Sequence, residues 1–157
     1  MKTILYFVLL LGFASLGLAS DTARENQTND IREAVFRWQF DNNASGQQTN
    51  AQVYFLEIGT NGGDPADEFM KRFAEHKPPV RKKSECSADI RNGVLDKKTG
   101  EHGLIFRVWS IKWNSDTEVE ARGGYYEGGR SASSNIYTLK LEKSKWKVIN
   151  DKLVTIS

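Results

Sequence analysis

Blocks of apolar residues separated by turn-forming clusters run along this chain, and the spacing within each block predicts its structure. Residues 29–42 have helical spacing, with Asn29 or Asp30 placed to cap the helix. Glu33 falls in the first turn, where a negative charge meets the positive end of the helix dipole. Residues 20–28, which precede this helix, are polar and predict a flexible leader.

The predicted helix is apolar on two sides. One stripe consists of Ile31, Ala34, Val35 and Trp38. Phe36 and Phe40 point to the opposite side. A helix on the surface of a domain buries one apolar stripe against the core, so the apolar side chains on its second side must be buried by something else. That cover is another element of the chain, a partner chain or a ligand, and the first of these is the commonest.

A strand and a short second helix follow. Residues 52–58 are rich in residue types that suit a pleated surface, and the glycine-rich segment 59–63 ends this strand. Asp64 is then placed as the N-cap of a helix, with Pro65 in its first position. The apolar stripe of this helix consists of Ala66, Phe69, Met70 and Phe73. The ion pairs expected on its polar side, four residues apart, are Asp67–Lys71 and Glu68–Arg72.

From residue 80 onward the chain predicts only strands. These strands span residues 80–86, 104–113, 117–126, 135–142 and 146–156. Their connections are short enough to force antiparallel neighbours, which gives one broad meander. Gly123 and Gly124 fall in mid-strand and predict a bulge or sharp bend that curves the sheet. N-terminal helices packed on such a curved antiparallel meander define an α+β fold.

The first nineteen residues have the pattern of a signal peptide. Lys2 precedes a continuous apolar run over residues 4–13, and small residues lead up to Ala19. A membrane-spanning helix needs roughly 20 apolar residues and flanking anchors, more than this segment offers. We therefore predict cleavage after Ala19, with Ser20 as the second choice, and a secreted or periplasmic chain without a membrane contact. An uncleaved anchor is the alternative.

Composition narrows the function classes further. Removal of residues 1–19 leaves 138 of the 157 residues, which suits a single domain over residues 29–157. Loss of Lys2 lowers the net charge of +2 by one, so the charge balance predicts neither nucleic-acid binding nor membrane attraction. The basic stretch at residues 77–83 suits a solvated sheet edge. Cys86 is the only cysteine, and we expect it as a free core thiol.

Taken together, the order of these elements resembles the NTF2-like, or cystatin-like, superfamily. The likeness is carried by that order and by the final segments at residues 137–141 and 145–148. The sequence also resembles exported bacterial proteins of unassigned role, which share an apolar strand, a helix that opens Asp-Pro, here Asp64-Pro65, and a Gly-Gly-Tyr-Tyr strand, here from Gly123. The resemblance to the superfamily implies a conical pocket between helices and sheet, which some members use for isomerase, dehydratase or hydrolase chemistry and many use for binding or dimerisation.

No motif in the sequence compels a reaction. Neither a Gly-x-Ser-x-Gly elbow nor a phosphate-binding glycine pattern occurs. His76 and His102 stand in polar contexts and are too few for a metal site, so we predict no metal and no cofactor. Glu57 is a weak catalytic candidate, because alternation places it on one strand face with Val53 and Phe55, and a carboxylate in apolar surroundings can act as a general base. The alternative places it at a rim, in contact with water or an arginine.

Aromatic residues give the prediction of a ligand site. Trp38 on the first helix and Trp109, Trp113 and Tyr125 on the strands are expected to line the concave face. Glu57 would be a polar contact of that pocket. Core packing of the same residues is the alternative explanation.

Three function classes follow from these observations. We favour a non-enzymatic module that binds a small apolar ligand or a protein partner. A pocket enzyme of the isomerase or hydrolase type, with a carboxylate in an apolar cone, comes second. A homodimer comes third and would be favoured by exposed Phe36 and Phe40. Acceptor sites for N-glycosylation at Asn26 and Asn43 matter only in a host that glycosylates them.

Overall fold

The computed structural model describes residues 15–46, 48–129 and 131–157. Its helices are α1 (Ser15–Asn42) and α2 (Asp67–Met70), and 3₁₀ turns span Lys71–Phe73 and Lys83–Glu85. Its strands are β1 (Val53–Ile58), β2 (Val80–Lys82), β3 (Cys86–Asp89), β4 (Gly93–Asp96), β5 (Gly103–Ser115), β6 (Glu118–Gly128), β7 (Ser131–Glu142) and β8 (Lys145–Ile156). Most of the predicted signal peptide lies outside the described residues, and its cleavage stays a prediction.

Six strands form one curved, unclosed sheet in the order β2-β1-β5-β6-β7-β8. Strands β5 to β8 are the predicted antiparallel meander. Strand β1 runs parallel to both of its neighbours, β2 and β5, so the sheet is mostly antiparallel. The connection from β1 to β2 carries α2, as a crossover between parallel strands requires. The α+β class with a curved, mostly antiparallel sheet is therefore confirmed.

The segment at residues 80–86 is not the single strand that its composition predicts. Only Val80–Lys82 joins the main sheet, and the chain then turns through a 3₁₀ helix into β3. Strands β3 and β4 pair with each other in a separate two-stranded sheet. The hairpin covers the side of the main sheet that faces away from α1, where Cys86 and Val94 pack on Val53, Phe55 and Ile105.

Helix α1 begins at Ser15, earlier than the predicted Asn29 or Asp30, so residues 20–28 are helical instead of a loose leader. Ion pairs stabilise this exposed extension. Arg24 lies 3.8 Å from Asp116 and stacks 3.4 Å from the ring centre of Trp113, and Arg32 lies 3.2 Å from Glu25. No helix among the described residues combines the length and the apolar character needed to cross a membrane.

Both apolar sides of α1 are covered by other parts of the same chain. Phe36 is fully buried and packs against Phe69 and Phe73 of the α2 region. Phe40 packs between that region and the sheet, with its ring 5.0 Å from Tyr54 and 5.1 Å from Phe106. The second apolar side is thus covered by an element of the fold, and the argument for a dimer through Phe36 and Phe40 does not hold.

Helix α2 is shorter than its sequence pattern predicts, and its ion pairs differ as a result. It passes into a 3₁₀ turn after Met70, and residues three apart are eclipsed in that geometry. Glu68 therefore pairs with Lys71 at 2.6 Å, while Asp67 pairs with Lys82 of β2 at 2.6 Å. Arg72 binds two acidic residues of α1. The two predicted pairs at four-residue spacing are wrong.

Asp64 does not cap this helix. Its Oδ1 accepts a hydrogen bond from the backbone N–H of Ser84 at 2.9 Å, and Ala66 occupies the N-cap position without a side-chain bond. Asp64 thereby ties the entry of the helix to the turn that precedes β3. Asp64 therefore connects two elements of the fold and does not cap the helix as predicted.

A bulge in β5 decides which residues face α1. Val108 pairs with Gly123 and Ser110 pairs with Arg122, so Trp109 is an extra residue in β5. The bend predicted at Gly123 and Gly124 is therefore produced in the neighbouring strand. Before the bulge the even-numbered residues of β5 face α1, and after it the odd-numbered ones do. The inward residues of β5 are Leu104, Phe106, Val108, Ile111 and Trp113.

Candidate functional site

The four aromatic residues predicted to line one pocket occupy two places. Trp38 and Tyr125 line a cleft of about 340 Å³ between the C-terminal part of α1 and strands β6 to β8. Trp109 and Trp113 line a second depression of about 310 Å³ beside the N-terminal part of α1, next to Arg32. The bulge at Trp109 separates the two groups along the sheet. The structure therefore divides the four residues into two pairs instead of placing them in one pocket.

Trp113 is already engaged by packing within the fold. Its ring meets that of Trp146 edge to face at 5.5 Å, and the Arg24 guanidinium covers its other side. An aromatic ring between a second ring and a cation has little surface left for a ligand. For Trp113, core packing explains the structure better than the ligand role predicted for it.

Glu57 lies on the opposite face of the sheet from the cleft. Tyr54 and Leu56 face α1, and alternation along β1 therefore turns Glu57 towards the hairpin side, with Val53 and Phe55. Its carboxylate is buried there. The expectation that Glu57 contributes to a pocket with Trp38 and Tyr125 is wrong, because the apolar face that carries it is not the face that α1 covers.

Two cations accompany the Glu57 carboxylate. Arg107 Nε lies 3.1 Å from Oε1, and Lys83 Nζ lies 3.8 Å from Oε2. The contact with Arg107 is an ion pair whose alignment falls outside hydrogen-bond geometry, since Nε has no hydrogen-bond partner among the described residues. A carboxylate held between two cations has a structural role. The contact with Arg107 agrees with the alternative given for Glu57 in the sequence analysis, that it reaches an arginine.

Gln39 on α1 is the most deeply buried polar residue at the cleft, with 2 % of its surface exposed. Its Nε2 donates to the backbone oxygen of Arg107 at 3.0 Å, to the hydroxyl of Tyr137 at 3.1 Å and, more weakly, to the oxygen of Gly124 at 3.4 Å. Carbonyl oxygens only accept hydrogen bonds, so these contacts fix which end of the amide is nitrogen. Its Oε1 has no hydrogen-bond partner among the described residues.

A second polar group lies on the last two strands. Asn135 Nδ2 donates to Asp151 Oδ1 at 2.6 Å, and Trp38 Nε1 donates to Asp151 Oδ2 at 2.9 Å. These bonds lock both side chains in one orientation. Asn135 Oδ1 is buried, and within the described parts of the chain it has no hydrogen-bond partner. The group thus presents an amide oxygen and a carboxylate whose positions are set by the fold.

The register of β7 and β8 places these groups close together. Tyr137 is opposite Asp151, and Asn135 is opposite Leu153. Cross-strand neighbours of this kind have Cβ atoms about 4.5–5.5 Å apart. Burial raises the pKa of Tyr137 well above its usual range, so its hydroxyl stays neutral and keeps a proton while it accepts the bond from Gln39. Hydrogen-bonding groups of α1, β7 and β8 therefore converge on one small volume.

Sequence reasoning missed Gln39, Asn135, Tyr137 and Asp151. The reason is clearest for Asp151, because β8 contains a bulge. Val148 pairs with Leu139 and Asn150 pairs with Thr138, so Ile149 is an extra residue. Trp146 and Val148 face the core before the bulge, and strict alternation from them places Asp151 on the outside. The available signal was the alternation of Asn135, Tyr137 and Leu139, which puts a polar residue on the inner face of β7.

The two histidines and the cysteine do not extend the site. His76 is partly buried against Phe40, with its Nδ1 2.8 Å from the oxygen of Pro78, and His102 is exposed. Cys86 is buried under the hairpin, and burial raises the pKa of its thiol. Among the described residues, no three His, Cys, Asp or Glu side chains come together as a group that could hold a metal ion.

Comparisons of the chain with protein-family models, with curated proteins and with solved structures found no match in any of the three. The likeness to the NTF2-like superfamily therefore stays a prediction. A function therefore has to be argued from the geometry of the chain itself. The feature that offers most for such an argument is the cleft, whose lining includes the polar groups of Gln39 and Asp151.

Proposed function

We propose that the protein is a non-enzymatic binding protein whose small-molecule ligand occupies the cleft between α1 and strands β6 to β8. The observation that carries this proposal is the Oε1 atom of Gln39. It is a buried acceptor of a residue that lines the cleft, and it has no partner in the described part of the chain. An unsatisfied buried polar atom costs about 1–3 kcal/mol, so a ligand that donates a hydrogen bond to it would recover that energy.

The walls of the cleft suit a ligand with both apolar and polar parts. Trp38, Tyr125 and Leu153 supply apolar surface, and Gln39 and Asn135 supply free acceptor atoms. Its volume of about 340 Å³ falls within the usual range for small-molecule sites, about 300–1,000 Å³. A few polar atoms fixed on an apolar wall are the ordinary composition of a binding pocket.

Binding is favoured over catalysis because the carboxylate in the cleft is held by the protein. Each oxygen of Asp151 already accepts a hydrogen bond, one from Asn135 and one from Trp38. Such an arrangement orients a carboxylate as a fixed acceptor. Glu57, the carboxylate that the enzyme alternative relied on, is buried on the other face of the sheet.

The position of α1 supports the finer proposal of an NTF2-like arrangement. Helix α1 packs on β5, β6 and β8, on one face of a sheet that bulges bend at three neighbouring pairs of strands. This places the cleft where a helix covers a curved meander. We also propose that the chain is exported and that its mature form begins at Ser20. The mass of the protein recovered from outside the cytoplasm of its host tests this, and a chain that retains Met1 would contradict it.

The cleft proposal is tested with a pair of neighbouring variants. Leu153 lines the cleft and is 50 % exposed, while Val154, the next residue, is 51 % exposed and does not line it. Leu153→Trp should fill the cleft, and Val154→Trp should leave it open. Binding is measured by calorimetry with ligands found by a thermal-shift screen of small amines, alcohols and carboxylates.

We expect ligands that bind the native chain and Val154→Trp with equal affinity, and that lose at least tenfold in affinity for Leu153→Trp. Equal affinity for both variants would show that the ligand binds elsewhere on the protein and would refute the proposal. So would a screen in which no compound of the three classes binds. Chemical conversion of a bound compound would indicate the enzyme alternative.

A further inference from the structure

We infer that the ligand's head group is a primary ammonium ion, so that the cleft is a site for small organic amines. This inference rests on the proposed function. It concerns the chemistry that the polar groups of the cleft are able to recognise. The groups are Gln39, Asn135 and Asp151, which come from α1, β7 and β8.

The buried side-chain atoms of the cleft that lack a hydrogen-bond partner among the described residues are acceptors. Gln39 Oε1 and Asn135 Oδ1 are amide oxygens without partners among the described residues, and their orientation is fixed because the amide nitrogens are bound elsewhere. Asp151 adds two carboxylate oxygens, each with lone-pair capacity beyond the single bond that it accepts. An ammonium head group has three donors and no acceptor, and it therefore matches this set. A carboxylate or phosphate would meet the negative charge of Asp151 and two amide oxygens, none of which can donate a hydrogen bond to it.

The charge in the cleft favours a cation as well. Among the described residues that line it, Asp151 is the only one with a full charge. None of the ion pairs in the described parts of the chain involves Asp151, so no lysine or arginine neutralises it there. Its hydrogen bonds come from two neutral donors, Asn135 and Trp38, which position the negative charge without cancelling it.

The aromatic rings point the same way. Trp38 and Tyr125 line the cleft together, and the indole of Trp38 is joined to the carboxylate by its Nε1. A cation within about 6 Å of an aromatic face is attracted by the ring, most strongly by tryptophan. One carboxylate, two amide oxygens and two aromatic side chains form a combination that suits an ammonium group and its attached apolar carbons.

Three probes of nearly equal shape test the inference: 2-phenylethylamine, 2-phenylethanol and 3-phenylpropanoate. They differ mainly in the charge of the head group. We expect the amine to bind about tenfold or more tighter than the alcohol, since hydrogen bonds to charged groups are stronger than neutral ones, and the carboxylate not to bind. N-acetyl-lysinamide presents the same head group on a peptide. Binding ten times or more tighter than that of the amine would show that the site takes a lysine of a protein partner, and would overturn the inference of a small organic amine.

Two sets of variants locate the head group. Asp151→Asn removes the charge and keeps the size, and it should lower the affinity for the amine about tenfold while that for the alcohol stays unchanged. Leu153→Lys places an ammonium of the protein's own opposite Asn135, at a half-exposed position that tolerates substitution. It should block 2-phenylethylamine, whereas Val154→Lys, the same change at the exposed neighbour that does not line the cleft, should not. This second pair keeps the test valid if Asp151→Asn is unstable.

The outcomes separate this inference from the proposal on which it depends. If the alcohol or the carboxylate binds more tightly than the amine and is blocked by Leu153→Trp, the ammonium inference is overturned and the cleft remains a binding site. If neither these probes nor any screened compound binds at the cleft, both fall. Amine binding that survives Asp151→Asn and Leu153→Lys would overturn the inference alone.

Discussion

Replacement of Gly123 by alanine tests how closely the sheet and α1 are fitted together beneath the cleft. Gly123 lies in β6, paired with Val108 on one side and Asn135 on the other. A Cβ atom at this position would lie 2.2 Å from the backbone oxygen of Arg107 and 2.9 Å from Gln39 Nε2. The clash is with main chain of a central strand, which cannot rotate away as a flexible side chain would.

The cost follows from these distances. A carbon–oxygen contact is comfortable at about 3.3 Å or more, so the backbones of β5 and β6 must separate by about 1 Å. Overpacking of this kind costs about 1–3 kcal/mol. Displacement of the Gln39 amide leaves buried acceptors unpaired, at a further cost of about 1–3 kcal/mol. We therefore expect Gly123→Ala to lose about 4 kcal/mol of unfolding free energy, or roughly 10 °C in Tm.

The same substitution at Gly46 is the matched control. A Cβ there meets no atom within 4 Å, and its φ lies outside the left-handed region. Gly46→Ala should change stability by about 0.5 kcal/mol or less, with a gain as the expected sign. Urea unfolding followed by tryptophan fluorescence measures both variants. If Gly123→Ala is within about 1 kcal/mol of Gly46→Ala, the tight fit between Gln39 and the sheet does not exist.

Three further predictions concern the core and its titratable groups. Phe36→Ala should lower the free energy of unfolding by about 3–5 kcal/mol, because the ring is fully buried where α1 packs against α2. A loss below about 1 kcal/mol, measured by urea unfolding, would contradict that packing. Burial raises the pKa of Tyr137 above its usual value of about 10, so the stability that its neutral hydroxyl contributes is complete below pH 10 and is lost as the pH rises further. In Tyr137→Phe, the unfolding free energy measured with urea should therefore decline less steeply at high pH. Equal declines in the variant and the native chain would refute this. Burial also raises the pKa of the Cys86 thiol, so a disulfide reagent should modify it only after unfolding, and rapid labelling of the folded chain would show that the hairpin leaves it open.

Much of the fold was predictable because its apolar pattern is strong. The four strands of the meander were placed to within a few residues, since alternation and short turns both specify them. The two-sided apolar pattern of α1 correctly required a second cover, which α2 provides through Phe69 and Phe73. These features depend on local spacing and on burial, and both can be read along the chain.

The parts that failed depend on contacts between distant residues. The strands of the hairpin, β3 and β4, have only four residues each, and Cys86 is the only buried residue of β3, so there is little apolar pattern to reveal it. The parallel pairing of β1 is decided by the crossover through α2 and leaves no mark in the composition of the strand. The four predicted aromatic residues lie in two places, and Asp151 was missed, because bulges at Trp109 and Ile149 reverse the faces of β5 and β8 part-way along.

The cleft and the core share one structural cause. Because Gly123 has no side chain, Gln39 can enter the space beside β5 and donate to Arg107 and Tyr137. The same bonds leave its Oε1 without a partner among the described residues, so the geometry that stabilises the sheet also creates the acceptor on which the proposed ligand site depends. Gly123→Ala should therefore reduce stability and ligand affinity together. Leu153→Trp, at the half-exposed rim, should reduce affinity alone, and this difference distinguishes an acceptor supplied by the core from a pocket supplied only by surface residues.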